Sequence, residues 1–172
     1  QQKYPALMTN VRNVPIASGL GDGHAVMQGF AACRNIKKTL HPLSDDVVIA
    51  WGDVFFPNAA IIDELLSQPM DRAGLIPAVR EDNPYVSLLV DRHMTCMSAD
   101  FSKYGERHPT GFHDQSVFRF QKSILWNSLR ELHDAFWKNG RYITPGGELS
   151  MLYTFHHMYN KDIGARVYET DY

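Results

Sequence analysis

The chain has little cysteine, no surplus of charge of one sign and no long hydrophobic run, and each shortage closes off a class of protein. Two cysteines among 172 residues, Cys33 and Cys96, are too few for a disulfide scaffold or a cysteine-rich metal framework. They can form one bridge or remain two free buried thiols, and the second is the expectation in a reducing compartment. Lys and Arg together number 17 against 19 Asp and Glu, a net charge of −2. That balance supplies no global attraction to nucleic acid or to an anionic membrane, so neither is an expected partner, although local basic groups can still hold a phosphate. No stretch has the length and apolarity of a membrane-spanning helix, and Gln1 does not open a signal peptide. Cytoplasm is the default expectation. Internal repeats, low-complexity linkers and a second-domain boundary are also lacking, so residues 1–172 read as one domain.

What is present is enough for a core. An apolar fraction of 44% with 12% aromatics permits one ordinary hydrophobic interior without disulfides. The organising stretch is residues 47–54, Val-Val-Ile-Ala-Trp-Gly-Asp-Val. It is too short to span a membrane and has the β-rich composition of a central strand. Gly52 removes side-chain bulk where a ligand could approach the backbone. It also sets the Asp53 carboxylate just past the strand, where open α/β sheets bind ligands. A carboxylate is a hard oxygen donor suited to magnesium. Capping a helix or pairing with a base is the structural alternative for Asp53.

Upstream, residues 11–17 suit a short extended segment. Three glycines at alternating positions in Ser18-Gly19-Leu20-Gly21-Asp22-Gly23-His24 then make a compact turn. Either the backbone geometry alone requires them, or close approach and exposed amides bind an anion. Ala25, Val26, Met27, Phe30, Ala31 and Ala32 can cover one face of a following helix, whose N-terminus would favour phosphate. No Lys-Ser/Thr ending makes this a Walker loop. Asp22 is unfavourable beside a polyphosphate unless a cation or a donor network intervenes. Lys37, Lys38 and His41 read as a solvated helix end and loop.

Further on, Ile61, Ile62, Leu65 and Leu66 predict a helix, and residues 74–79 a strand that Pro77 pushes toward an edge. Residues 81–84 read as a turn, 85–90 and 93–99 as strands joined by a hairpin-like Asp91-Arg92-His93, and 100–110 as a polar loop in which Lys103 and Arg107 are either anion contacts or, as the expectation, solvent-exposed. Gly111 to Ser116 leads into an alternating strand at 117–120. A helix is predicted over 122–139, a turn at Pro145-Gly146-Gly147, a last helix over 151–159 and a final strand at 164–168. Adjacent His156 and His157 point apart on a helix, so they do not make a zinc motif. Repeated strand–helix transitions favour a layered α/β architecture, with α+β as the alternative.

Gly21-Asp22-Gly23-His24-Ala25 together with Gly52-Asp53-Val54 resembles the nucleotidyltransferases that make activated sugars or related phospho-alcohol conjugates. Residues 103–106, Gln115-Ser116 and Gly147-Glu148 continue the resemblance, which covers the middle and later part of that family's catalytic domain. It implies a three-layer mixed β-sheet with flanking helices, Rossmann-like and glycosyltransferase-A-like, incomplete at its N-terminus. It also implies a reaction between a nucleoside triphosphate and a phosphorylated sugar or alcohol, with release of pyrophosphate. Asp53 would hold the catalytic Mg2+, and Gly21, Asp22, Gly23 and Gly52 would contact the nucleotide. Asp22 stands where the family commonly has a small hydroxyl residue. Lys103, Gln115, Ser116 and Glu148 would bind the acceptor, although Ser102 replaces the usual acid before the lysine.

The family's glycine-rich, basic N-terminal signature is absent upstream of Gln1, and no carboxylate or amide after Tyr168 matches its later metal ligand. The expectation is therefore a partial domain, completed by a missing segment or a second chain. Two other readings stay open. One is a noncatalytic nucleotide- or sugar-phosphate-binding module. The other is a nucleotide-sugar-dependent glycosyltransferase, ranked lower for want of an Asp-x-Asp motif.

Overall fold

A computed structural model describes Pro15 and residues 19–34, 45–52 and 60–171. Asp53, the expected magnesium ligand, lies outside the described residues. So do Lys37, Lys38, His41 and, apart from Pro15, the expected extended segment at 11–17. The elements in order are α1 (Asp22–Arg34), β1 (Asp46–Ala50), α2 (Ala60–Ser67), β2 (Gly74–Asp82), β3 (Val86–Val90), β4 (Cys96–Phe101), β5 (Thr110–Asp114), β6 (Val117–Gln121), α3 (Lys122–Phe136), β7 (Trp137–Lys138), β8 (Arg141–Tyr142), α4 (Tyr153–Tyr159) and β9 (Arg166–Glu169). A single 3-10 turn, Ser102–Tyr104, follows β4. No helix among the described residues is long and apolar enough to cross a membrane.

Seven strands form one mixed sheet in the order β1-β6-β2-β5-β3-β4, with β9 beside β2. Only β9 runs parallel to its partner there; the other ladders are antiparallel. The hub is β2, whose residues from Gly74 to Ala78 are all buried. A run buried on both faces must be apolar throughout, and its alternation assigns each residue to a face. Leu75 packs with Ile61 and Leu65 of α2 and with Val117, while Ile76 joins Phe118, Phe120, Leu125, Leu129 and Phe155 on the other side. Helix α2 therefore covers one face and α3 with α4 the other, which gives the mixed α/β architecture with flanking helices.

Several expectations change. Among the described residues β1 is an edge strand, paired only with β6, and Val48 is 39% exposed. β-branched composition marks a strand without separating edge from centre. Conversely, Pro77 sits in the innermost strand. Its carbonyl accepts from Gln115 N–H at 2.9 Å, at the break where Gln115 and Ser116 separate β5 from β6. The register shifts by two residues there, from Ala78↔Asp114 to Leu75↔Arg119. Proline is tolerated because its missing donor coincides with this bulge.

Glu81 and Asp82 belong to β2 rather than to a turn, and the stretch expected as loop supplies the end of β4 and the start of β5. Helix α3 stops at Phe136, because Asn139 and Gly140 (φ +52° and +79°) turn a small hairpin between β7 and β8. That dipeptide is the preferred two-residue hairpin turn. The last helix begins at Tyr153, and Ala31 is exposed while Val26, Met27 and Phe30 pack on the core.

Two polar devices hold the layers. Arg119 of β6 donates to the Leu65, Leu66 and Gln68 carbonyls at the end of α2 (3.3, 3.0 and 3.0 Å) and to Asp46 Oδ2 of β1 at 3.0 and 2.6 Å. One planar guanidinium thus satisfies helix-end carbonyls and a carboxylate together. Across the sheet, the buried Tyr142 hydroxyl is hydrogen-bonded to Nδ1 of both His24 (2.7 Å) and His133 (2.8 Å), tying α1 to α3 and the hairpin.

Two predictions follow from these contacts. Arg119→Leu strands Asp46 and the helix-end carbonyls, so urea unfolding should show a loss of about 2 kcal/mol, and an unchanged midpoint refutes the role. Burial, with His133 nearby, holds the His24 pKa below the usual imidazole value. The folded pKa is the lower one, so its contribution is complete above the unfolded value of about 6.5 and is lost as pH falls toward the folded value. His24→Gln should flatten that part of the stability–pH curve; a curve parallel to the parent's would show that His24 is uncoupled from folding.

Candidate functional site

Where the start of α1, the end of β1, the start of β3, the Ser102–Tyr104 turn and residues 148–153 converge, they enclose a cavity of about 250 Å3. Its polar lining is Asp22, Lys103, Glu148 and Ser150, and its rings are Trp51, Tyr85, Phe101, Tyr104 and Tyr153. Val86 and Leu152 complete the wall. Three of the residues singled out from sequence, Asp22, Lys103 and Glu148, thus come together from segments far apart in the chain.

The glycine turn explains how. Gly21 adopts φ +95°, and a side chain on it would run into the Leu149 carbonyl. A Cβ on Gly23 would lie 2.9 Å from both Leu149 O and Met151 N. Backbone therefore packs on backbone: Gly23 N–H donates to Leu149 O and Leu149 N–H to Leu20 O, both at 2.9 Å. Asp22 Oδ1 accepts from Gly23 N–H at 2.6 Å and from Met151 N–H at 2.7 Å. The Gly23 amide is thus engaged within the protein, and the alternating glycines serve close approach. Burial raises the Asp22 pKa, against the hydrogen bonds from Met151, Gly23 and the Ser150 hydroxyl, with Glu148 adding repulsion.

Lys103 is exposed at the mouth, its Nζ 5.0 Å from the Tyr104 ring centroid and 5.5 Å from that of Phe101. Partial burial lowers its pKa, but the Tyr104 hydroxyl, Tyr85 and Glu148 outweigh this and leave it above the usual lysine value. Burial and the neighbouring Tyr104 push the Tyr153 phenol up to about 12.

Neither Gln115 nor Ser116 is among the described lining residues; Ser116 meets the wall at one remove, through Trp51. Ser116 stands at φ +59°, its N–H donating to Asp114 Oδ1 at 2.9 Å, and its carbonyl accepts from Trp51 N–H at 3.0 Å. The bulge thereby fixes Trp51, with Gly52 exposed beside it. Asp114 is 4% exposed, and burial raises its pKa despite the Ser116 bond, with Asp22 adding repulsion. Among the described residues, no group of three His, Cys, Asp or Glu side chains is arranged to hold a metal ion. His157 instead pairs with Glu131 at 2.7 Å, and Cys96 is a buried free thiol whose pKa burial raises.

Sequence reasoning missed the five rings and Ser150. Tyr85, Phe101 and Tyr104 flank the expected loop and hairpin, and their shared orientation exists only once β3 and β4 pair.

No family model matches the chain, and no curated protein matches it. Solved structures do. HddC from Yersinia pseudotuberculosis superposes with a TM-score of 0.54 at 18% identity, over 90% of this chain and 56% of that one. A second HddC structure, complexed with GMP-PN, gives 0.53 at 18% identity over 91% and 56%. The inositol-1-phosphate CTP transferase from T. maritima gives 0.57 at 13%, over 87% and 52%. The chain shares the nucleotidyltransferase fold. It spans little more than half the length of these neighbours.

Gly23→Ala should cost about 1–3 kcal/mol and detach residues 148–151 from α1. Gly29→Ala, in open space on the same helix, should instead be neutral or stabilise by about 0.5–1 kcal/mol. Thermal melts that fail to separate the two substitutions would refute the backbone-contact role.

Proposed function

We propose that the chain carries out, as part of its full protein, nucleotidyl transfer from a nucleoside triphosphate to a sugar phosphate or related phosphorylated alcohol. A phosphate oxygen of the acceptor attacks the α-phosphorus; the new P–O bond forms as the bond to the β-phosphate bridge breaks, and pyrophosphate leaves. The observation that carries this reading is the meeting of Asp22, Lys103 and Glu148 in one cavity, within a fold shared with nucleotidyltransferases. The acceptor phosphate is ionised near neutral pH, so the chain needs no Ser–His couple to generate a nucleophile. Its task is positioning and charge.

Lys103 supplies a flexible cation at the cavity mouth for the acceptor phosphate. Glu148, with Gln115 and Ser116 behind Trp51, orients the acceptor's organic part. Gly21, Asp22, Gly23 and Gly52 are assigned to the nucleotide side. The internal donors on Asp22 are the network that makes an acid tolerable there. Asp53, immediately after Gly52, is assigned as the ligand of Mg2+, which when bound would neutralise charge developing on the phosphates.

The test is pyrophosphate release from a panel of nucleoside triphosphates and phosphorylated acceptors, using the whole protein. Asp53→Asn should lower metal-dependent turnover by about 100-fold or more with the fold intact. Lys103→Met should raise KM for the acceptor with little change in KM for the triphosphate. Undiminished turnover in Asp53→Asn refutes the metal assignment, and tight nucleotide binding without turnover on any acceptor reassigns the protein as a binding module.

A further inference from the structure

Resting on the transfer reading only for its place in a reaction, we propose that the cavity takes an acceptor with a positively charged nitrogen in its organic part. The class is a phosphorylated amino alcohol, its ammonium among the rings and against Glu148, with Asp22 adding negative charge from the side assigned to the nucleotide, and its phosphate toward Lys103.

Charge is the first ground. Asp22 and Glu148 line the space against the single amine of Lys103, and buried Asp114 lies close enough to Asp22 to repel it. Neither Asp22 nor Glu148 forms an ion pair within 4 Å among the described residues. Asp22 is held by neutral donors alone, two backbone N–H groups and the Ser150 hydroxyl. An unpaired carboxylate in a partly dry site favours a cationic ligand.

The second ground selects the kind of cation. No three metal-capable side chains are grouped among the described residues. The wall is instead mainly carbon: Trp51, Tyr85, Phe101, Tyr104 and Tyr153. Ring faces attract an alkylated ammonium, which carries apolar surface and charge together. This wall already attracts one such cation, because Lys103 Nζ stands over Tyr104 and Phe101. A neutral polyol would need many directional partners, and Asp22 already spends one oxygen on two backbone donors. With Lys103 turned to a phosphate, the opposite charges of a compact zwitterion each meet their complement within about 250 Å3.

Calorimetric titration of the whole protein with phosphocholine, choline chloride and glucose 1-phosphate tests this, with pyrophosphate release measured in parallel. Phosphocholine should bind about tenfold or more tighter than glucose 1-phosphate. Glu148→Gln should weaken phosphocholine and choline by about fivefold or more and glucose 1-phosphate by less than about twofold. Lys103→Met should weaken both phosphates but not choline. Glucose 1-phosphate binding as tightly as phosphocholine overturns the proposal, as does equal weakening of both by Glu148→Gln or no binding of phosphocholine. Release of pyrophosphate with glucose 1-phosphate but not with phosphocholine also overturns it, while upholding nucleotidyl transfer. Selective phosphocholine binding without release from any triphosphate upholds the ligand class and overturns the transfer reading.

Discussion

Asp22 Oδ1 accepts two backbone N–H groups, from Gly23 beside it and from Met151 on the far side of the sequence, and the cavity depends on that junction. The carboxylate fastens the first turn of α1 to the segment that carries Glu148, Ser150 and Leu152. An acid at a helix N-terminus is favoured by the helix dipole, and charge-assisted bonds to amides are stronger than neutral ones. Both effects oppose the cost of burial. That the pKa is nevertheless raised shows burial outweighing those bonds and shifting the carboxyl toward its protonated form. Such a site holds its geometry through dense packing, and the glycines at 21 and 23 supply it by letting backbone touch backbone.

The opposite wall is set by the sheet. Strand β2 is flanked by β9 on one side and by the broken pair β5 and β6 on the other. The break shifts register by two residues and places Ser116 in a left-handed conformation that costs a non-glycine residue energy. The surroundings compensate with Asp114 on the Ser116 amide and Trp51 on its carbonyl. Through those bonds a backbone irregularity in the centre of the sheet becomes the position of an indole at the cavity. The same break lets Pro77 sit in the hub.

Legibility in the sequence followed the range of the forces involved. Elements held by local pattern were readable: the Ile61 and Leu65 face of α2, the Leu125, Leu129 and Leu132 face of α3, the alternation of β6. The glycine turn was readable as a turn, but its purpose was not, because the atoms it accommodates belong to Leu149 and Met151. Pro77 misled for a related reason, since its acceptability depends on a bulge nearly forty residues away. Asn139-Gly140 carried a clear hairpin signal, and helical spacing through Phe136 and Trp137 overrode it. The rings of the cavity were invisible, because no local pattern distinguishes a tyrosine that packs from one that lines a space. Acidic and basic candidates fared better, since Asp22, Lys103 and Glu148 stand beside turn-forming glycines or in a polar stretch.

The cavity is assembled from segments that lie far apart in the chain. The segments that carry its described lining residues are tied to one another by backbone bonds and sheet pairing. In sequence, Asp53 follows two residues after Trp51 of that wall. At 13–18% identity the solved neighbours share this fold, as a sheet fixed by backbone pairing permits while its side chains change.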